Sequence, residues 1–274
     1  MENKIYVVTH KKFKLSTFLK DKGYELLTVG GKEINDGVND AQGETIYKKN
    51  LNYCELTGVY WIWKNIDTDI KGFCHYRRYF TKDTIKFDEN KLLSIKEIDS
   101  ILSEHPKAVI VPEKKYYNIS AKKLYLRCGF QKDLDATRDV ISEKYPEYLN
   151  IYDKMMNSNF GYITNMMIAK KNVFDEYCKW VFDILFSVEK RTDLSGYSTA
   201  EARIYGYISE RLLGVWLEKN KIETIEFQSI NPETDFGIRY LLYRMSVKLR
   251  IYKYLKYIAF LWNNRVKNGK NKKN

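Results

Sequence analysis

One short segment concentrates side chains that can bind an anion. The apolar residues 72–74 (GFC) are followed at residues 75–80 by HYRRYF. An apolar run that ends in a polar cluster is typical of a strand whose carboxyl end reaches a cleft, where open α/β sheets bind their ligands. Arg77 and Arg78 offer planar donors that suit phosphate, and His75 adds a donor or a metal ligand. The segment therefore predicts an anion site; the alternative is two surface arginines beside a core histidine.

A second motif, DTD at residues 67–69, has the form that metal-dependent sugar transferases use to hold a divalent ion on a diphosphate. It precedes the apolar strand, in the turn that leads into Ile70. A catalytic pair should follow a strand, at the ligand-facing end of the sheet. We therefore interpret Asp67 and Asp69 as part of a turn.

The elements that must position these residues alternate along the chain. Strands are predicted at 5–8, 24–29, 72–74, 108–112 and 160–169, and helices at 13–22, 51–65, 95–103, 124–148, 173–189 and 203–217. A strand, a helix and a strand in succession predict a βαβ opening and a parallel sheet. The glycines at 30–31 lack the spacing of a dinucleotide fingerprint or a P-loop. The expected class is α/β, with a mostly parallel sheet flanked by helices.

The positive charge of the chain is concentrated near one end. The formal net charge is +12 over 274 residues, yet no acidic residue follows Asp235, where many lysines and arginines occur. This divides the chain into a predicted domain at 1–235 and a basic helical tail at 236–274. An apolar stripe with basic flanks predicts attachment to an anionic membrane surface. The alternative is a packed helix with a frayed basic end.

Cysteine usage and hydropathy indicate the compartment. Cys54, Cys74, Cys128 and Cys178 are scattered without a CxxC pair, which is typical of buried free thiols in a reducing cytoplasm. The first residues lead directly into a strand and lack the apolar core of a signal peptide. No window reaches the apolar length of a membrane span. We therefore expect a cytoplasmic protein, peripheral at the inner face of the cell membrane.

Seven segments together resemble a known family. They are 5–10 (IYVVTH), 49–50 (KN), 53–65 (YCELTGVYWIWKN), 72–80 (GFCHYRRYF), 165–168 (NMMI), 176–182 (EYCKWVF) and 206–212 (GYISERL). The sequence resembles a bacterial family of capsular and exopolysaccharide glycosyltransferases, long catalogued as an uncharacterised domain, that includes galactofuranosyltransferases. The resemblance runs from about residue 4 to about residue 230, and CELT and HYRRYF are its most specific parts.

The resemblance implies a GT-A-like, Rossmann-type fold and a sugar transfer reaction. The donor would be a nucleotide-diphosphate sugar, UDP-linked, carrying galactofuranose or another hexose. The acceptor would be a lipid-linked saccharide of capsular polysaccharide, exopolysaccharide or lipopolysaccharide synthesis. The alternatives are a noncatalytic scaffold of a polysaccharide assembly complex and a nucleotide-sugar- or nucleic-acid-binding basic protein. We expect no nucleic-acid partner, because the charge lies at one end and no nucleic-acid motif is present.

Transfer requires a base for the acceptor hydroxyl and positive charge for the departing diphosphate. We expect Asp133 to be the catalytic base, with Glu55 and Asp193 as the alternatives. Asn165 and Glu210 are expected to face the acceptor. The expected donor-binding residues are Thr9, His10, Lys64, His75, Arg77 and Arg78. A divalent cation, Mg²⁺ or Mn²⁺, can share the work, but the sequence does not assign its ligands.

Overall fold

The first strand of the sheet forms from the run of β-branched and aromatic residues that the sequence predicts. All five of its residues are buried, as expected for a strand covered on both faces. The computed structural model of the protein describes residues 2–82, 84, 86–233 and 245–246. The strands there are β1 (Ile5–Thr9), β2 (Tyr24–Thr28), β3 (Val38–Asn39), β4 (Ile70–His75), β5 (Tyr79–Thr81), β6 (Val109–Pro112), β7 (Lys115–Tyr116), β8 (Phe160–Gly161), β9 (Met167–Lys170) and β10 (Thr224–Ile230).

Eight strands of the described chain form one mixed sheet, in the order β3-β2-β1-β4-β9-β6-β10-β5. Strand β1 pairs in parallel with both β2 and β4, while β9 runs antiparallel to β4 and β6. Strand β10 is parallel to β6 and antiparallel to β5. All strands of this sheet except β9 and β5 therefore point in one direction. This confirms the expected α/β class with a mostly parallel sheet; β7 and β8 form a separate small sheet.

The helices of the described chain pack against the sheet and against one another. They are α1 (Thr17–Asp21), α2 (Asn50–Tyr53), α3 (Leu56–Asn65), α4 (Ile95–Glu104), α5 (Ala121–Tyr125), α6 (Gln131–Lys144), α7 (Pro146–Asn157), α8 (Lys171–Glu189) and α9 (Ile204–Lys219). Helix α3 approaches the sheet closely at Gly58, where a Cβ atom would lie 2.9 Å from Val29 Cγ1. This close approach holds the first residues of α3 beside the carboxyl ends of β1 and β2.

A buried ion pair connects β4 to two helices. Lys71, on β4, is 1% exposed, and its ammonium lies 2.7 Å from Asp175 Oδ1 on α8. The same ammonium donates to the carbonyl of Trp63 on α3 at 3.0 Å. A buried charge requires such partners because its desolvation is costly. The pair therefore fixes β4 relative to α3 and α8.

Three predicted elements differ in the structure. The predicted helix at 51–65 is divided into α2 and α3, because Cys54 adopts a positive φ of 53° that interrupts it. The predicted helix at 124–148 forms α5, α6 and the start of α7, and Pro146 occupies the first turn of α7, where a missing N–H costs nothing. The predicted strand at 160–169 forms β8 and β9 with a loop between them.

Strands β3, β5, β7 and β10 are not among the predicted elements. Of these, β10 joins β6 to β5 in the sheet. The predicted tail at 236–274 lies outside the described residues, apart from 245–246.

Candidate functional site

A cleft of about 880 Å³, including its open mouth, lies at the carboxyl ends of β1, β2 and β4. The chain continues from β1 to β2 on one side, while β4 lies on the other side of β1. Such a reversal of strand order leaves a crevice in which open α/β sheets bind ligands. The residues described as lining the cleft are Val8, Thr9, His10, Lys11, Val29, Asn50, Leu51, Cys54, Glu55, His75, Tyr76, Arg77, Thr199 and Arg203.

The end of β1 forms one wall of the cleft. The Thr9 hydroxyl accepts from the Lys11 N–H at 3.1 Å and donates to the Lys11 carbonyl at 3.0 Å. This local turn directs His10 to the cleft, where its ring lies 5.8 Å from that of Tyr76. Burial and the nearby Lys32, Lys11, Arg77 and Arg203 lower the pKa of His10, so its imidazole is held in the neutral form.

The arginine segment forms a tight turn directly after β4. The Arg78 N–H donates to the His75 carbonyl at 2.7 Å, and the His75 N–H donates to the Arg78 carbonyl at 3.1 Å. The Arg77 guanidinium lies 5.1 Å from the centre of the Tyr76 ring. Burial, followed by the charges of Arg78 and Arg77, lowers the pKa of His75 to about 3. His75 is therefore neutral at physiological pH, while both arginine side chains remain exposed and charged.

The Tyr76 hydroxyl is a buried polar group without a partner. It has no hydrogen bond to any residue that the structure describes, although Tyr76 is only 7% exposed and lines the cleft. A buried hydroxyl without a partner is costly, and in native proteins it calls for an explanation such as a bound water or ligand. The hydroxyl oxygen itself is buried, so it is not open to the cleft that the Tyr76 residue lines.

A third arginine enters the cleft from the residue before α9. The Arg203 Nε donates to Cys54 Sγ at 3.1 Å. The Asn50 side-chain amide donates to the Cys54 carbonyl at 2.7 Å and supports the positive φ of Cys54. Burial raises the pKa of the Cys54 thiol to about 11, so the thiol is protonated. The sequence analysis did not identify Arg203 as a site residue. It could have been noticed as a basic residue at the start of a predicted helix, where the helix dipole favours acidic residues.

The carboxylate wall of the cleft is formed by Glu55 and the residues that support it. The Asn165 amide donates to Glu55 Oε1 at 2.8 Å, and the Ser209 hydroxyl donates to Asn165 Oδ1 at 2.7 Å. Asn165 and Ser209 are both buried, so this chain of hydrogen bonds fixes the Glu55 carboxylate at the first turn of α3.

Glu210 is the second carboxylate in this region. Burial raises the pKa of Glu210 to about 8; Arg211 opposes the increase and Glu55 adds to it. An Arg211 Nη1 lies 3.0 Å from Glu210 Oε2. Glu210 also borders a second, shallow pocket with Tyr117 and Tyr162, whose volume of about 380 Å³ includes open solvent. Glu210 is therefore largely protonated at neutral pH and lies within electrostatic range of Glu55.

The structure brings together most of the residues singled out in the sequence. Thr9, His10, His75, Arg77 and Glu55 line the cleft. Three more are adjacent: Arg78 follows in the same turn, Asn165 contacts Glu55, and Glu210 lies within electrostatic range of Glu55 and Arg78.

Lys64, Asp133 and Asp193 lie elsewhere. Lys64 is near the far end of α3, about 14 Å along the helix from Glu55, and pairs with Glu44. Asp133 is fully buried and accepts from the Tyr125 hydroxyl, the Tyr197 hydroxyl and the Phe130 N–H at 2.9, 2.5 and 2.9 Å.

Asp193 is exposed and bonds to Ser195 in its own loop. The structure thus does not place Asp133, Asp193 or Lys64 in the cleft. The sequence could not show this, because Asp133 is used to cap α6 and Lys64 is one helix length from the site.

The DTD motif lies at the amino end of β4, the opposite end of this strand from the cleft. Asp67 pairs with Lys171, and Asp69 pairs with Lys170 at 2.6 Å, just before β4 begins. This agrees with its interpretation as a turn. Within the described ranges, no group of three or more His, Cys, Asp or Glu side chains is arranged to hold a metal ion.

No helix in the part of the chain that the structure describes is both long enough and apolar enough to cross a membrane.

Comparisons with known proteins relate this chain to a family and to a solved structure. A family model described as a domain of unknown function, DUF4422, matches residues 4–221. The apo structure of the bifunctional glycosyltransferase WbbM matches with a TM-score of 0.71 and 28% identity, over 85% of this chain and 45% of that one. The chain thus spans less than half of that protein. Curated proteins gave no match. The structural match agrees with the expected GT-A-like α/β fold.

Proposed function

Because the chain belongs to the DUF4422 family and folds like part of a bifunctional glycosyltransferase, we propose that it transfers a sugar from a nucleotide-diphosphate donor. The donor is UDP-linked and carries galactofuranose or another hexose. The acceptor is a lipid-linked saccharide of capsular polysaccharide, exopolysaccharide or lipopolysaccharide synthesis. The enzyme acts in the cytoplasm, at the inner face of the cell membrane. The position of the arginine-lined cleft at the switch point of the sheet is the observation that carries this proposal.

The donor diphosphate lies against the basic wall of the cleft. Arg77 and Arg203 line this wall, and Arg78 follows Arg77 in the same turn. Guanidinium groups bind diphosphate oxygens through paired, charge-assisted hydrogen bonds. The same charges stabilise the nucleoside diphosphate as the bond to the sugar breaks, which is where negative charge develops.

Neutral side chains complete the donor side. His75 and His10 have lowered pKa values, so they contribute hydrogen-bonding groups rather than charge. This mixture of charged and neutral donors suits a ligand that carries both a diphosphate and polar hydroxyl groups.

Glu55 acts as the base that removes the proton of the acceptor hydroxyl. The acceptor oxygen then forms a bond to the anomeric carbon, and the nucleoside diphosphate leaves with the electron pair of the broken bond. Asn165 positions the Glu55 carboxylate through its 2.8 Å hydrogen bond. Glu210, protonated near neutral pH, donates a hydrogen bond to the acceptor from the second pocket.

The expected Mg²⁺ or Mn²⁺ ion stays a prediction. Among the described residues that line the cleft, Glu55 provides the carboxylate, and no cluster of ligands suits a metal. The arginines therefore provide the charge stabilisation.

Ligand binding by single arginine variants tests the donor site. In Arg77→Ala and Arg203→Ala, we expect the Kd for UDP to increase about 10- to 100-fold, because one charge-assisted hydrogen bond contributes about 1.5–3 kcal/mol. Arg138→Ala is the matched control, since this exposed arginine pairs with Asp153 away from the cleft. Isothermal titration measures all three.

Unchanged UDP affinity in both cleft variants would contradict the donor site. Turnover separates the alternatives that remain. UDP-sugar binding without any transfer would support the noncatalytic nucleotide-sugar-binding protein instead. Salt-sensitive binding of RNA without UDP binding would support the nucleic-acid-binding alternative.

A further inference from the structure

A basic and apolar turn borders the acceptor side of the cleft. We define this docking turn as residues 120–132, which include α5 and the start of α6. Its sequence, SAKKLYLRCGFQK, contains four basic residues and no acidic residue. Leu126 and Phe130 are 38% and 39% exposed, and they are among the few large apolar side chains exposed in the described part of the chain.

The cations of the docking turn differ from those of the neighbouring helices. Lys122, Lys123 and Arg127 form no ion pair with any residue in the described ranges. Several cations of α6 and α7, and one just after α8, instead pair with carboxylates; these pairs are Arg138–Asp153, Lys144–Asp183, Lys154–Glu218 and Arg191–Glu143. The docking turn therefore presents uncompensated positive charge beside exposed apolar groups.

The docking turn is adjacent to the proposed chemistry. The Phe130 ring lies 4.7 Å from the ring of Tyr197, whose loop supplies Thr199 and then Arg203 to the cleft. The thiol of Cys128 lies within electrostatic range of Glu210, Arg211 and Arg203. Leu51, 60% exposed, extends the apolar rim on the other side of the cleft mouth.

We propose that the docking turn binds the headgroup region of an anionic bilayer and so orients the cleft toward the membrane. Lysine and arginine beside exposed leucine and phenylalanine suit the boundary between the headgroups and the acyl chains. The cations bind lipid phosphates, while the apolar side chains enter the acyl region. Nucleic acid would use the cations but not the exposed leucine. Membrane docking by this turn does not depend on the proposed function. Delivery of the saccharide acceptor by the bound lipid surface does depend on it.

Vesicle sedimentation of the full chain tests the docking turn, with phosphatidylcholine vesicles that contain or lack phosphatidylglycerol. In Lys122→Ala/Lys123→Ala/Arg127→Ala, we expect partitioning to anionic vesicles to fall about 100-fold, because each cation near such a surface contributes about fivefold. A second variant, Leu126→Ser/Phe130→Ser, should also weaken binding. Melting curves confirm that each variant is folded.

The control removes the same charge elsewhere. Lys20→Ala/Lys96→Ala/Lys107→Ala changes three exposed lysines outside the docking turn and should weaken binding only a few-fold. Equal loss in the two triple variants would overturn the proposal, as would wild-type binding by the docking-turn triple variant. Loss of RNA binding with unchanged vesicle binding would also overturn it.

The vesicle assay contains no nucleotide sugar, so it is independent of catalysis. Transfer to a short soluble acceptor should remain at the wild-type rate in the docking-turn variants. If the wild-type protein transfers no sugar but the vesicle results hold, the proposed function fails and the docking turn stands.

Discussion

Replacement of Glu210 by glutamine should change how the stability of the protein depends on pH. Burial raises the pKa of this carboxyl from 4.5 to about 8. Between these two pH values the folded protein therefore holds a proton that the unfolded chain releases. The stabilisation from the protonated carboxyl is fully present below pH 4.5 and is lost as the pH rises through 8. Glutamine keeps the shape and the hydrogen-bond donor but has no proton to lose.

The size of the effect follows from the shift in pKa. Each unit corresponds to 1.36 kcal/mol, so the full shift represents on the order of 3–5 kcal/mol, the lower figure allowing for partial solvent screening. About a fifth of the side chain, 21%, remains exposed. Urea unfolding at pH 5 and pH 9 measures this quantity. The wild-type protein should lose this much more stability than Glu210→Gln over that interval, because all other titrating groups are shared.

Activity provides a second readout of the same substitution. Since Glu210 donates as the protonated acid, kcat/KM of the wild-type enzyme should fall above about pH 8, and Glu210→Gln should abolish that fall while it retains activity at pH 7. Glu143→Gln, an exposed carboxyl paired with Arg191, is the control. Parallel stability curves for Glu210→Gln and the wild type would refute the buried, protonated carboxyl. A loss above about 100-fold at pH 7 would make Glu210 the base in place of Glu55.

Two further substitutions test structural roles. Asp133→Asn should lower the free energy of unfolding by about 1.5–3 kcal/mol and leave kcat/KM nearly unchanged, because this buried carboxylate bonds to three donors outside the cleft. Asp135→Asn is the exposed control. A large loss of kcat at an unchanged Tm would restore Asp133 as the base. Asp175→Asn should lower the free energy of unfolding, measured in urea, by about 3 kcal/mol, because it leaves the Lys71 ammonium unpaired. The double variant Asp175→Asn/Lys71→Met should recover most of this stability. A double variant as unstable as Asp175→Asn would show that the unpaired ammonium is not the cause.

The sequence predicted the parts of the fold that depend on local pattern. Strands β1, β2 and β6 and helices α4, α8 and α9 appear close to their predicted bounds, since each has a clear apolar pattern, and α4 also has a matching start signal. The capping box of Ser94 and Glu97 at α4 is such a signal. Strand β10 was missed because its side chains are mostly half-buried and several are polar, so its strand state depends on β5 and β6.

A site residue could be located from the sequence where a chemically suited side chain stands at the end of a predicted strand. It could not be located where the packing of distant segments determines its position. His75 and Arg77 follow a buried strand, so their location could be inferred from the segment alone. The role of Asp133 could not, because one of its three donors, the Tyr197 hydroxyl, comes from a segment 64 residues away in the sequence. Arg203 reaches the cleft only because the loop before α9 folds back onto α2, where Asn52 donates to the Ala202 carbonyl at 2.7 Å.

The position of β10 has a consequence for synthesis of the protein on the ribosome. The turn that carries Arg77 and Arg78 is followed at once by β5, and the sheet partner of β5 is β10. The contact between Thr84 and Gln228 spans 144 residues of sequence. Until β10 emerges, β5 and β6 present open edges that can pair wrongly with other chains. We therefore expect nascent chains that stop before Thr224 to lack an anchored arginine turn and to require chaperone protection.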